Sequence, residues 1–209
     1  MKSPTKIRKP DWDNFLEVIT YRKIESFYHY TPHKNLSQIL RSGGIYSRHQ
    51  VRLRNIQPIE IHGWGDKWKE LEDYICLSLA KPTWLLEKSR EPFIALAIKP
   101  EVAGYQRTIF SNRSSASIEV DAVVLKTQDT IADFDTLFRN ENENVPKYLL
   151  SEVLVEDFIP LQNIQAIYLS SWKGNTKYFL FWLYKKWSSL FRYGLAYPPL
   201  LVAPKKNLF

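Results

Sequence analysis

Cysteine is nearly absent: Cys76 is the one thiol in 209 residues. A single thiol closes no internal disulfide, builds no cysteine-based zinc site, and fits a reducing compartment. The short catalytic and nucleotide-binding motifs G-x-G-x-x-G, G-x-x-x-x-G-K-[ST], G-x-S-x-G and H-E-x-x-H are also missing. Their absence removes the motif arguments for dinucleotide-fold oxidoreductases, P-loop NTPases, α/β-hydrolases and zincins. Histidine is scarce, at four residues, and His29 and His33 stand four apart only with Pro32 between them. Proline breaks the helix that such ligand spacing needs, so no metal site is expected. Long apolar runs are lacking too. Tyr178-Phe179-Leu180-Phe181-Trp182-Leu183-Tyr184 ends at Lys185 and Lys186, well short of the ~20 residues that span a bilayer. No apolar stretch follows the basic residues 1–10, which disfavours a secretory signal. Neither an internal repeat nor a low-complexity tract is visible.

What is present describes a folded chain. Hydrophobic residues make up 44% and charged residues 24%, enough apolar material for a core and too little charge for a disordered chain. The length suits one domain. Lys and Arg outnumber Asp and Glu by 29 to 22, a net +7, which favours association with polyanions without saying anything of fold.

Residues 1–10 read as a basic, Pro-flanked tail, and the tail is taken to residue 20, with one domain over residues 21–209. A β-rich run from Ile24 to Tyr30 stops at Pro32. Leu36, Ile39 and Leu40 then fall on one face of a short helix, and Gly43-Gly44 stands where a left-handed C-cap is needed. Residues 46–72 are polar and irregular and read as a long loop, which in a compact domain is usually functional or mobile. Strands are expected at Tyr74 to Leu79, Phe93 to Ile98, Arg107 to Phe110, Glu152 to Val155 and Ile164 to Leu169. An exposed acidic helix and loop are expected over residues 127–147, and an aromatic helix from Thr176 to Trp187. Strands and helices do not alternate, so an α+β fold is preferred to a doubly wound sheet.

Taken one at a time, the chemically interesting residues have plain readings. His29, among aromatic neighbours, fits a half-buried histidine bonded to backbone. Glu152, at the start of an apolar strand, fits a solvated edge or a cleft. Arg48, Arg52 and Arg54 fit a soluble loop face; interleaved with Trp64, Lys67 and Trp68 they also fit phosphate neutralisation and base stacking along a single nucleic-acid strand.

In order, four stretches resemble the DarT-type DNA ADP-ribosyltransferase family. Tyr28-His29-Tyr30-Thr31-Pro32-His33-Lys34-Asn35-Leu36 with Gly43-Gly44-Ile45 is similar to the family's opening strand and helix. Asp73-Tyr74-Ile75-Cys76-Leu77-Ser78-Leu79 resembles its Asp-Tyr-led strand. Thr108-Ile109-Phe110-Ser111-Asn112 resembles the stretch before a substrate-side loop, and Ser151-Glu152-Val153-Leu154-Val155 the strand bearing the catalytic glutamate. The likeness runs from about residue 27 to 172.

The resemblance implies an ADP-ribosyltransferase-like α+β fold, with two small sheets forming a cleft for NAD+ and peripheral helices. It implies a pentosyltransferase that moves ADP-ribose from NAD+ onto a base of single-stranded DNA, without a metal. It also implies a toxin paired with a macrodomain-type antitoxin, expected to be cytoplasmic and monomeric. By position Glu152 becomes the catalytic glutamate. His29, Tyr30, Thr31, Asn35, Gly43, Gly44 and Tyr74 are the expected cofactor contacts. The family's arginine is sought between the opening segment and the Asp-Tyr strand, where Arg54 is preferred slightly to Arg48. Arg52, Trp64, Lys67, Trp68, Asn112 and Arg113 are the expected DNA contacts. The family's histidine after the Phe-Ser stretch has no counterpart in Asn112-Arg113-Ser114-Ser115, which leaves the acceptor base open. An RNA or protein acceptor, or an inactive nucleic-acid-binding module of the same fold, is the alternative. If the assignment holds, a carboxylate facing the positive charge that builds on the ribose stabilises the transition state more than the ground state.

Overall fold

The computed structural model describes residues 7–56, 71–79, 93–111, 129–138, 151–169 and 200–202. In chain order these hold helix α1 (Trp12–Tyr21), strand β1 (Phe27–Pro32), helix α2 (Leu36–Ser42), strand β2 (Gly44–Tyr46) and helix α3 (Arg48–Leu53). Next come β3 (Tyr74–Ser78), β4 (Phe93–Ile98), β5 (Ile109–Ser111), helix α4 (Ile131–Thr136), β6 (Glu152–Glu156), β7 (Phe158–Pro160), β8 (Ile164–Leu169) and β9 (Leu200–Val202).

Seven strands form one sheet in the order β5-β6-β3-β1-β4-β8-β9, and β2 pairs with β7 in a second, two-stranded sheet. All pairings are antiparallel except β8 with β9. The two expected sheets are therefore present but unequal in size. The chain passes from the large sheet to the small one at two corners. At the first, Gly43 (φ 86°) ends α2 in the left-handed conformation that only glycine adopts freely. Gly44 then lies so close to the Ile159 carbonyl and the Phe158 ring that a β-carbon would collide with both. At the second corner Asp157 (φ 61°) joins β6 to β7.

Strand alternation sets the core. Phe27, Ile75, Leu77, Ile94, Leu96, Ile98, Val153 and Val155 bury one face of the large sheet, each such side chain contributing about 1.5–3 kcal/mol. Against that face pack α1 through Phe15 and Ile19, α2 through Leu36, Ile39 and Leu40, and α4 through Phe134. Phe134 lies 5.0–6.3 Å, ring centre to ring centre, from Phe15, Phe27, Phe110 and Phe138. The acidic segment expected to be exposed thus places its one buried phenylalanine at the middle of an aromatic cluster.

Two expectations change. The segment taken as a tail to residue 20 is part of the fold from Ile7 onward. Arg8 bridges to Tyr105, and the Lys9 ammonium donates to the Asp129 carbonyl while lying 5.0 Å from the Phe15 ring and 4.9 Å from Phe110. Burial lowers the Lys9 pKa against the pull of Asp129, Asp11 and Asp133. Trp12, Phe15, Leu16 and Ile19 carry the helical spacing of α1, and the basic, proline-flanked context hid it. Residues 46–72, read as a loop, begin with the last residue of β2 and all of α3, whose first turn is capped by Ser47 accepting from Gln50 N–H. Elements of three and six residues are too short for periodicity to show. The helix expected over Thr176 to Trp187 lies outside the described residues.

Candidate active-site cleft

Strands β1 and β4 pair along six residues, but β1 and β3 share only Tyr28↔Ser78. Beyond that pair the two strands part. His29 Nδ1 lies 3.2 Å from the Cys76 carbonyl on the neighbouring strand β3. A carbonyl can only accept, so Nδ1 carries the proton and neutral His29 keeps Nε2 as an acceptor. Burial moves the His29 pKa below its ordinary value, opposed by that hydrogen bond. The histidine is therefore held neutral, and its tautomer is fixed by the backbone.

A cleft of about 270 Å³ opens beside this splay, walled by β1, α2, β2 and α3. His29, Tyr30, Thr31, Asn35, Gly44 and Arg48 line it together with Gln38, Tyr46 and Phe93. Thr31, 5% exposed, accepts through Oγ1 from Asn35 Nδ2 at 3.0 Å, so its own hydroxyl proton remains to donate. Asn35 Oδ1 is buried without a partner, and so is the Tyr30 hydroxyl, whose pKa burial drives far above the phenolic range. An unsatisfied buried acceptor costs about 1–3 kcal/mol. Within one turn of chain the cleft thus offers a hydroxyl donor, an amide acceptor and an imidazole acceptor. That set suits a ligand bearing both a carboxamide and sugar hydroxyls, which NAD+ carries at its nicotinamide end.

Glu152 opens β6, half-buried, in register with Ser78 on one side and Ser111 on the other. Tyr28, Ser78, Glu152 and Ser111 form one row across four strands. At about 4.8 Å between strands, Glu152 stands roughly 10 Å from Tyr28, and His29 is the next residue. Alternation puts Glu152 on the face of Ser78 and Tyr28, whereas His29 shares its face with Leu96 and reaches into the gap between β1 and β3. Glu152 does not line the described cleft.

The arginines separate. Arg48 lines the cleft, whereas Arg54, the C-cap of α3, lines a different concavity and lies 4.8 Å over the Tyr46 ring. Arg52 is exposed and makes a two-pronged ion pair with Glu72 at 2.6 and 3.0 Å, which holds the Glu72 carboxyl below its usual range. Gly43 shapes the corner without lining the cleft. Tyr74 packs with Cys76 against Leu71, Ile109 and Leu154, away from the cleft. Trp64, Lys67, Trp68, Asn112 and Arg113 lie outside the described residues. Gln38, Tyr46, Phe93 and the two serines in register with Glu152, Ser78 and Ser111, are not among the site residues expected from the sequence. Only Ser78 carried a signal, as a polar residue inside an apolar strand. Among the described residues no group of three or more His, Cys, Asp or Glu side chains is placed to hold a metal, and no helix is long and apolar enough to cross a membrane.

Comparison with known proteins bears on this geometry. A family model described as DarT, ssDNA thymidine ADP-ribosyltransferase, matches residues 28–178. No curated protein matches the sequence. Among solved structures, Thermus sp. 2.9 DarT in complex with ADP-ribosylated ssDNA is similar at a TM-score of 0.54 and 15% identity, over 96% of this chain and 98% of that one. The same protein in complex with NAD+ gives 0.52 and 16%, over 88% and 96%. Thermosipho africanus DarTG in complex with ADP-ribose gives 0.53 and 16%, over 86% of this chain and 50% of that one. At such identities these likenesses speak for the fold, and the family rests on the match to residues 28–178: the chain belongs to the DarT family of NAD-dependent single-stranded-DNA thymidine ADP-ribosyltransferases.

Proposed function

We propose that this protein transfers ADP-ribose from NAD+ to a thymidine base of single-stranded DNA, with the cleft at the β1–β3 splay taking the nicotinamide end. The observation that carries the assignment is the set of polar groups with spare donor or acceptor capacity on β1 and the turn after it. Thr31 donates to the carboxamide oxygen, Asn35 Oδ1 accepts from the carboxamide nitrogen, and His29 Nε2 accepts from a ribose hydroxyl. Arg48, on the opposite wall, is the cation for the diphosphate. These roles need His29 neutral, which its burial favours.

By the family resemblance Glu152, outside the described cleft and on the other sheet face from His29, is assigned to the reacting sugar, approached across the gap where β1 and β3 part. The bond from ribose C1 to the nicotinamide nitrogen breaks, nicotinamide leaves as a neutral base, and a bond from C1 to the thymine base forms. The proton that the base gives up passes to a carboxylate, a contribution of typically ~10²–10⁴-fold for a placed general base. Ser78 and Ser111, in register with Glu152 on either side, fix the strand position from which it acts. A base must leave any duplex stack to enter such a site, so a single strand is the accessible acceptor.

By the family resemblance we also propose that the protein is the toxin of a toxin–antitoxin pair with a macrodomain-type partner, acts as a monomer, and is cytoplasmic, where DNA and NAD+ meet. Incubation with labelled NAD+ and a thymidine-containing oligonucleotide is expected to label the oligonucleotide, with Glu152→Ala and Glu152→Gln both losing at least ~10²-fold in rate. Label found on RNA or protein instead, or binding without nicotinamide release, would overturn the assignment.

A further inference from the structure

A second concavity, of about 370 Å³, lies on the other side of α3 from the cleft. The helix is the partition: Arg48 and Val51 line the cleft, Gln50 and Arg54 the second concavity. The far wall is the β6–β7 corner, Glu156, Asp157 and Phe158, with Tyr105 and Arg107 beside it.

Four charged side chains line this space, and three are already engaged. Arg107 Nη1 donates to both Glu156 carboxylate oxygens at 3.0 and 3.1 Å. Asp157 Oδ1 accepts from Gln50 Nε2 at 3.1 Å. Arg54 differs, since its neighbours are neutral: Nε donates to Gln50 Oε1 at 3.3 Å and the guanidinium lies over the Tyr46 ring. Among the described residues no carboxylate forms an ion pair with it. Its plane is thereby fixed while its outer nitrogens remain exposed, the arrangement that binds a phosphodiester by two parallel donors.

We propose that this concavity is a subsite for a second nucleotide of the same single strand, with its phosphodiester on Arg54 and its base inside. The proposal rests on the DNA-acceptor reading above. Three features favour a nucleotide as occupant. The carboxylates of Glu156 and Asp157 keep a phosphate out of the interior and at the rim, where Arg54 is. Ile7, 67% exposed and part of the lining, gives apolar surface beside it for a base to cover. The subsite also adjoins the cleft: the Tyr46 ring, which lines the cleft, lies 4.4 Å, tilted, from the Phe158 ring, which lines the concavity. From Arg48 to Arg54 the helix rises about 9 Å, a gap that a short run of extended strand crosses.

Binding to a short thymidine oligonucleotide that fills only the cleft is compared with binding to the same oligonucleotide extended on both sides, by fluorescence anisotropy, for wild type, Arg54→Ala and Arg54→Lys. Wild type is expected to gain affinity from the extension. Arg54→Ala should lower the extended-to-short affinity ratio about fivefold, the worth of one exposed charge-assisted contact. It should also make the salt dependence on the extended strand shallower by about 0.7 in log–log slope. Arg54→Lys should restore the slope and only part of the ratio. An unchanged ratio and slope in Arg54→Ala, or equal losses on both oligonucleotides in a variant with wild-type melting, overturns the subsite. Because the readout is binding, a wild-type protein that binds as described yet transfers no ADP-ribose would refute the functional assignment and leave the subsite standing.

Discussion

Asp157 is the residue on which the position of Arg48 depends, and its substitution separates two effects of known size. Its backbone is left-handed (φ 61°). Its N–H donates to the Asp73 carbonyl at 2.7 Å, its carbonyl accepts from Ser47 N–H at 2.8 Å, and its Oδ1 holds Gln50 at 3.1 Å. The corner of the sheet is thus tied to both the cap and the first turn of α3. Removing the carboxylate costs about 1 kcal/mol for one partly buried hydrogen bond. An alanine must also hold a left-handed conformation that costs a β-carbon-bearing residue about 1–2 kcal/mol, part of which aspartate avoids. Asp157→Ala is therefore expected to lose about 2 kcal/mol, roughly 4–8 °C in Tm for a chain of this size. Asp157→Gly escapes the steric term and should fall about 1 kcal/mol less. Asp157→Asn keeps both the conformation and the acceptor and should stay within about 0.5 kcal/mol of wild type. Thermal and urea unfolding of the full chain measure the series, and the KM for NAD+ should follow the same order. Alanine proving as stable as glycine would refute the strain argument, and an asparagine variant as damaged as alanine would refute the hydrogen-bond argument.

Three further outcomes are expected. Arg48→Ala should raise the KM for NAD+ about tenfold, a charge-assisted contact's worth, and more than Arg54→Ala does; the reverse order in steady-state kinetics would return Arg54 to the cleft. His29 has a folded pKa below its unfolded value of about 6.5, so the unfolded chain takes up the proton first. Stability should hold at and above that pH and fall as the solution is acidified below it, whereas NAD+ affinity should fall only at the lower pH where folded His29 takes up its proton, in a titration followed by unfolding and by KM. Phe134→Ala should cost about 3–5 kcal/mol, since four other aromatic rings meet it; a loss under 1 kcal/mol by urea unfolding would contradict the cluster.

Sequence reasoning succeeded where the chemistry is local. Strands β1, β3, β4, β6 and β8 were visible because apolar and β-branched residues recur along them, and Gly43 marked the end of α2 because a left-handed cap needs glycine. His29, Thr31 and Asn35 came together for the same reason, being carried by one strand and the turn after it. The arginine depended on tertiary detail. At about 100° per residue, positions 48 and 54 are turned by some 240° about the axis of α3, so one helix presents them to different cavities, and a six-residue helix in a polar stretch leaves no trace in the pattern. Tyr74 misled because alternation gives a strand residue two faces, and the register that selects one is set by β5 and β6, far away in sequence. Lys9 was unreadable: a lysine enters a core only when a particular carbonyl and two particular rings await it.

The stretch that matches the family begins at residue 28, whereas the cooperative unit begins some twenty residues earlier. Any shortened version trimmed to the recognisable homology would delete Phe15 from beneath Phe110 and Phe134, strip the lid from Gly104, and expose aromatic surface that invites aggregation. Such a fragment would look inactive for a reason that has nothing to do with catalysis. Expression boundaries are therefore better drawn ahead of Ile7 than at the first residue the family shares.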